Sequence, residues 1–393
     1  MMDVLVIGAG IVGAACAQEL AAAGLSVGVL ERNEPGTGAT AAGMGHILAL
    51  DDSEAQIKLT VYSRQLWRAS RPRQATRLSD STDLVDVSRK SNGAAGFSPS
   101  DRTEFRTTGT MWIASNEAEM GALELRRDFY RKYGVAADLV GQDELFDLEP
   151  ALAPGMAGGM RIPMDAVLYP PTATTELLDR AFASGAKYFR SKVRGIGAHS
   201  VELVSGEIME ASHIVLATGA DATDLLPSLP LRKRKGHLVI TDRLPRPLIQ
   251  HQLIETGYMQ SAHGSDQASV AFNLQPRSTG QLLIGSSRQF ESNREVELQV
   301  VERMLKRAVA YVPVIRSCLV TRIWTGFRAA TPDGLPLIGP CPDVPGLILA
   351  TGHEGLGITT SLATAKLVLH HVTGTKAEID PAPYLPDRPF PAA

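Results

Sequence analysis

Cysteine is scarce in this chain. Only Cys16, Cys318 and Cys341 occur among 393 residues, and no two are spaced as a CxxC pair. Disulfide scaffolds, zinc ribbons and cysteine-ligated iron–sulfur clusters are thereby excluded, and a reducing compartment fits best. Charge of one sign is also lacking: 39 basic residues stand against 42 acidic ones, a formal net charge of -3. No field large enough to attract nucleic acid or an anionic membrane follows from that balance. The one local exception, Arg232-Lys233-Arg234-Lys235, is too short for a basic tail and reads as a solvated loop. Long apolar runs are missing as well, since each is broken by charge well short of the ~20 residues that span a bilayer. The apolar N-terminus carries Asp3 where a signal peptide needs Lys or Arg. A cytoplasmic globular protein is expected, with peripheral attachment to the inner face of the membrane left open.

What is present begins at the second residue. Val4-Leu5-Val6-Ile7 is a continuous apolar run, the pattern of a strand buried on both faces. It leads into Gly8-Ala9-Gly10-Ile11-Val12-Gly13, a complete GxGxxG, then a helix-favouring stretch from Ala14 to Ala23, with Gly24 where a C-cap glycine belongs. A second apolar run ends at Glu31-Arg32. Gly8 permits the tight turn, Gly10 lets the backbone approach a pyrophosphate, and Gly13 lets the helix pack on the sheet. The helix N-terminus presents unpaired N–H groups and a partial positive charge to the phosphates. Glu31 follows Gly13 by eighteen residues, where a carboxylate accepts ribose hydroxyls and repels a 2′-phosphate. To this point the dinucleotide could be NAD or FAD.

The rest of the chain favours FAD. Small residues from Gly36 to Gly43 precede Met44-Gly45-His46, so the backbone can lie against a flat ring system; a flexible linker is the alternative. Ile214 to Ala220 is another apolar strand ending in small residues, including Thr218 and Gly219, and Val193 to Ser212 before it has the alternation of an antiparallel hairpin turning at Ser205-Gly206. Leu347 to Ile358 repeats the strand–glycine–helix pattern through Gly352, Gly355, Leu356, Gly357 and Ile358. The helix expected from Thr359 to Val372 would direct its positive end at the flavin edge.

These segments, with Gly326-Phe327-Arg328-Ala329-Ala330-Thr331-Pro332-Asp333-Gly334, resemble the FAD-dependent D-amino acid oxidase-type family over nearly the whole chain. That family includes glycine oxidase, sarcosine oxidase and D-amino acid dehydrogenases. Ala41 to His46 and Leu168 to Pro171 are most similar to bacterial D-hydroxyproline dehydrogenases. The resemblance implies an α/β fold: an FAD-binding Rossmann-like domain of the glutathione reductase type, with a second, mostly antiparallel substrate domain. The first would be built from 1–50, 150–225 and 325–375, the second from 51–149 and 226–324, with 376–393 as a tail. It implies non-covalent FAD held by Gly8, Gly10, Ile11, Val12, Gly13, Glu31 and Arg32. Thr40, Ala41, Gly43 and Met44 would lie near the isoalloxazine, Val193 and the Thr218-Gly219 turn by the cofactor, and Gly352 to Ile358 at the pyrimidine edge. Ala329 departs from the usual proline, and Lys235-Gly236-His237 from the usual arginine–glycine–glutamine.

The implied activity is dehydrogenation of a small D-amino or imino acid, cis-4-hydroxy-D-proline or D-proline, by hydride transfer to flavin N5. A quinone, another respiratory carrier or oxygen would accept the electrons. A glycine or sarcosine oxidase and a flavoprotein subunit of a hetero-complex are the alternatives, with homo-oligomerisation left open. Arg328 is the candidate carboxylate anchor, since a guanidinium forks onto a carboxylate as lysine cannot. His46, His353 and Tyr258 are the further catalytic or cavity-lining candidates, each with a structural role as its alternative. Asp333 reads as a turn former. No metal site is expected. Residues 71–104, polar and without period, read as a mobile surface excursion.

Overall fold

Two eight-stranded sheets divide the chain, and the cavity between them is lined by segments of both. The computed structural model describes residues 1–50, 53–71, 103–245, 247–257 and 268–390. The polar excursion, except for its ends, and Tyr258 lie outside the described residues. Met2–Ile7 lies inside the first sheet, paired in parallel with Val27–Glu31 on one side and Ile208–Leu216 on the other. Lys187–Arg190 and Leu347–Thr351 extend it in parallel, and Leu337–Pro340 closes one edge antiparallel. Side chains alternate across such a strand. Val4 and Val6 face the helices Ile11–Ala22, Pro170–Ala183 and Gly357–Thr373, while Leu5 and Ile7 face the hairpin Val193–Gly197 and Ser200–Leu203. Small residues, Ala14, Ala15 and Ala17, allow the first helix to approach closely, and Gly24 follows it at φ +87° as a C-terminal glycine should.

The second sheet runs Val320–Ala330, Arg232–Arg243, Gln281–Phe290, Ser269–Pro276, Gln252–Glu255, Thr110–Ala114, Gly158–Ile162, Asp138–Gly141. All neighbours are antiparallel except Gln252–Glu255 and Thr110–Ala114. The helix Leu298–Tyr311 covers one face through Val300, Val301 and Met304, and the Tyr311 ring stacks on Phe272 at 4.5 Å. The other face looks into the cavity. Gly158–Ile162 and all of Val320–Ala330 pair in this sheet, so the segments expected at 150–225 and 325–375 each contribute strand residues to it as well.

The basic run is not a solvated loop. Arg232 to Lys235 opens a twelve-residue strand, Arg232–Arg243. Lys235 is fully buried, with Nζ donating to Glu297 Oε1 at 2.5 Å, Asn293 Oδ1 at 2.9 Å and Glu295 O at 3.2 Å. A buried ammonium is tolerated only with such a complete set of partners. Arg232 lies over the Phe290 ring at 3.7 Å. The C-terminal tail is also structural: Arg388 donates to both carboxylate oxygens of Asp333, at 2.7 and 2.9 Å, and to the Leu335 and Pro336 carbonyls. Asp333 does form the expected turn, accepting from Leu335 N at 3.1 Å. No helix among the described residues is long and apolar enough to cross a membrane.

Candidate active site

A cavity of about 1440 Å³ runs from the ends of the first sheet's strands to the concave face of the second. At its first end the glycine fingerprint takes its form from close contacts. Gly8 has φ +103°, and a Cβ there would lie 2.7 Å from the Ala217 carbonyl oxygen. A Cβ on Gly13 would overlap the Gly8 carbonyl oxygen, so this glycine serves helix–strand packing and does not line the cavity. Gly10 differs: its missing Cβ faces only Thr40 Oγ1 at 3.2 Å, which leaves backbone open to the cavity. Thr40 Oγ1 accepts from Ile11 N at 3.0 Å and thereby steadies the helix start.

Glu31 ends its strand with Oε2 accepting from Ala9 N and Oε1 from Asn33 N, both at 2.8 Å. Each oxygen keeps a second lone pair for a hydroxyl donor. Arg32 turns to Asp221 at 2.6 Å, and Lys233 reaches the same carboxylate at 2.9 Å. Burial would raise the Asp221 carboxyl, but the Lys233 hydrogen bond and the Lys233 and Arg32 charges hold it below the usual carboxylate range. Val193, Thr218 and Gly219 line this part of the cavity, and Thr218 Oγ1 is buried without a hydrogen-bond partner among the described residues.

Midway, the small-residue loop wedges between the two sheets. A Cβ on Gly43 would sit 2.5 Å from Ile358 Cδ1, and one on Gly326 would sit 2.5 Å from Ala42 Cβ. Ala42, Gly43 and Met44 line the cavity, whereas Ala41 does not. Gly352, Gly355, Leu356, Gly357 and Ile358 border it at the start of the helix Gly357–Thr373. A helix N-terminus and a paired carboxylate at one end, an orphaned hydroxyl, and a middle section kept flat by glycines suit an extended dinucleotide with a planar ring, as in FAD. None of the three cysteines lines it.

The far end is built by strand alternation. Arg234, Gly236 and Leu238 project from one strand, Ser286, Arg288 and Phe290 from its neighbour, and Arg328 from the strand on the other side. Arg328 stands opposite Arg234 and donates from Nη1 to Ser287 O at 3.1 Å. Glu354 sits among the guanidiniums, 3.2 Å from Arg234 Nη1 and 3.9 Å from Arg328 Nε. Burial would raise its carboxyl, yet Arg328, Arg288 and Arg234 hold it below the ordinary range, so it stays ionised. Of the five guanidinium N–H groups of Arg328, one is committed to Ser287 O and Nε–H faces Glu354. Donors on both terminal nitrogens are left for a carboxylate.

His46 lines the cavity, with Nε2 buried and without a partner among the described residues; burial, then the nearby Arg277 charge, pushes its pKa down to about 4. His353 also lines it, but its Nε2 pairs with Thr364 Oγ1 at 2.9 Å and burial lowers its pKa to about 3. It is therefore a neutral histidine tied to the C-terminal helix. Sequence reasoning missed Glu354, Arg234, Arg288 and Asn273, which also line this end.

The family model of FAD dependent oxidoreductases, DAO, matches residues 3–370. A glycine oxidase of Geobacillus kaustophilus is 29% identical over 395 residues, covering 97% of this chain and 96% of that protein. The hydrogen cyanide synthase subunit HcnC of Pseudomonas aeruginosa is 25% identical, covering 100% of this chain and 97% of that one. The crystal structure of the Geobacillus kaustophilus glycine oxidase superposes with a TM-score of 0.83 at 28% identity, covering 99% of each chain. That of L-proline dehydrogenase from P. horikoshii shares the fold, with a TM-score of 0.82 at 22% identity over 98% of this chain and 96% of that one. The chain belongs to the DAO family of FAD-dependent oxidoreductases.

Proposed function

We propose that this FAD-dependent oxidoreductase oxidises the C–N bond of a small amino or imino acid, with Arg328 as the anchor of the substrate carboxylate. The observation that carries this reading is the placement of the Arg328 guanidinium inside the cavity, backed by Ser287 O and Glu354 with its remaining donors unspent. When bound, FAD supplies the two-electron oxidation. The chain's residues supply orientation and exclusion of water. Arg328 fixes the α-carbon by a forked carboxylate contact. Leu48, Leu50, Leu238 and Ile254 make the walls apolar. His46, neutral above about pH 4, adds no charge against the substrate nitrogen.

The specific substrate we favour is cis-4-hydroxy-D-proline or D-proline, with electrons passing to a quinone or other respiratory carrier. The support is the resemblance carried by Ala41 to His46 and Leu168 to Pro171. A glycine- or sarcosine-type oxidase is the second reading, favoured by the glycine oxidase relatives. The similarity to a hydrogen cyanide synthase subunit supports a third, activity only within a hetero-complex. Replacing Arg328 with Lys tests the anchor. The apparent KM for the reducing amino acid rises by ~100-fold while FAD content is unchanged, because a point charge cannot hold the forked geometry. Unchanged kinetics would remove Arg328 from this role.

A further inference from the structure

Among the described residues Glu354 is the one carboxylate that borders the Arg328 guanidinium, and part of it is unspent. Its backbone N–H donates to Ala329 O at 2.9 Å, which ties the loop before the helix Gly357–Thr373 to the strand that carries the anchor. Gly355 packs against the same arginine, since a Cβ there would lie 3.3 Å from Arg328 Nε. The Glu354 side chain stays 20% exposed and lines the cavity, so a ligand can touch it. Oε1 accepts from Arg234 Nη1 at 3.2 Å, but Oε2 stops 3.9 Å from Arg328 Nε, beyond hydrogen-bonding distance. The Gly355 N–H also reaches this carboxylate. Two donors against about four lone-pair sites leave capacity for a donor on a ligand. Glu354 is moreover held at φ +48°, a left-handed backbone that glycine would adopt without strain. Pairing with Arg234 accounts for Oε1 alone; a side chain kept in that conformation beside a cavity points to a use for the other oxygen.

We infer that Glu354 is a catalytic residue whose carboxylate accepts a hydrogen bond from the substrate nitrogen and faces the positive charge that oxidation creates there. The inference rests on the amino-acid oxidoreductase reading above and assigns the group that meets the nitrogen, which that reading leaves open. Reach agrees. In an α-amino or imino acid two bonds of about 1.5 Å separate the nitrogen from the carboxylate carbon, so a carboxylate forked on Arg328 brings the nitrogen close beside the guanidinium. Glu354 is the anion on that border. Arg328, Arg288 and Arg234 keep it ionised, so it accepts the N–H bond without taking the proton. In the reaction the α C–H bond breaks, and the hydrogen leaves with both electrons to the flavin. The nitrogen lone pair closes the C=N bond, and a neutral amine becomes a cationic iminium. A fixed carboxylate is attracted more strongly to that developing charge than to the neutral amine, so it lowers the barrier and does more than add affinity.

Two flat carboxylates that cannot be dehydrogenated test the contact apart from turnover. Pyrrole-2-carboxylate presents an N–H beside its carboxylate, and 2-furoate has the same shape with a ring oxygen in that place. Their Kd values are read from the perturbed flavin spectrum of the FAD-loaded wild type, Glu354→Gln and Glu354→Ala. The wild type prefers pyrrole-2-carboxylate by ~10-fold or more, as a charge-assisted hydrogen bond provides. Both variants lower that preference at least ~5-fold, because neither offers an ionised acceptor. With D-proline or sarcosine the limiting rate of anaerobic flavin reduction falls ~100-fold in Glu354→Gln. Both ligands are read on one preparation, so partial misfolding or flavin loss cancels in the ratio. Equal affinities in the wild type, a preference unchanged in both variants, or a wild-type limiting rate in Glu354→Gln overturns the inference and leaves Arg328 as the anchor. If neither carboxylate perturbs the flavin and no amino acid reduces it, the amino-acid reading falls as well.

Discussion

A Cβ atom built on Gly236 would lie 2.5 Å from Nη1 of Arg328 and 2.9 Å from Nη2. The guanidinium thus occupies the space that any side chain at position 236 would fill. This explains the glycine between Lys235 and His237, two residues that face the opposite side of the strand, where Lys235 meets Glu297 and His237 meets Ser287. Gly236→Ala should therefore displace the anchor without touching the cofactor. A shift of about 1 Å at a positioning group costs on the order of 100-fold in rate. Steady-state kinetics should show that loss in kcat/KM for amino acids, with flavin content unchanged; wild-type kinetics would contradict the assignment of the guanidinium to that space.

His353 ties acid sensitivity to the helix Gly357–Thr373. Its folded pKa, lowered to about 3 by burial, lies below the ~6.5 of an unfolded histidine. Its contribution to stability is fully present above ~6.5 and is lost as pH falls toward 3, because the unfolded chain takes up the proton first. Per pH unit in that window the loss is about 1.4 kcal/mol. Urea unfolding at pH 7 and pH 5 should show a steeper decline for the wild type than for His353→Gln, which cannot titrate. Equal declines would mean that His353 is protonated in the folded protein.

Arg388 fastens the tail to the turn beside the cavity. Its side chain is 8% exposed and meets both Asp333 oxygens. Removing one partner of such a pair leaves the other charge buried and costs about 3 kcal/mol. Arg388→Ala should lower the urea midpoint accordingly, more than Arg388→Lys, which retains one contact. A midpoint within error of the wild type would show the tail to be dispensable.

Much of the glycine-rich end of the cavity was legible because its signals are local. GxGxxG, the acid at the end of the second strand, and the strand–glycine–helix repeat each express one backbone requirement within a few residues. Gly8 and Gly352, at φ +103° and +78°, are glycines for the reason the pattern supplies. The Arg328 end of the cavity was less legible because it is assembled by strand pairing. Asn273 and Arg288 belong to no motif and share the cavity with Arg328 only through the order of four strands. The basic run misled for a related reason. Alternation sends Arg234 to the cavity and Lys235 to Glu297 and Asn293, but four consecutive cations conceal a period of two. Nothing near Arg388 announces its partner fifty-five residues earlier.

The central claim, that a bound amino or imino acid anchored by Arg328 delivers its electrons to FAD, is tested most directly by mixing the flavin-loaded protein anaerobically with cis-4-hydroxy-D-proline, D-proline, sarcosine and glycine in turn. The account predicts loss of the visible flavin absorbance with the cyclic D-imino acids, slow recovery in air, and no bleaching at the same concentrations in Arg328→Lys. Fast recovery in air would move the protein to the oxidase reading. An oxidised flavin that none of the four reduces, in a preparation that chemical reductant bleaches fully, would contradict it.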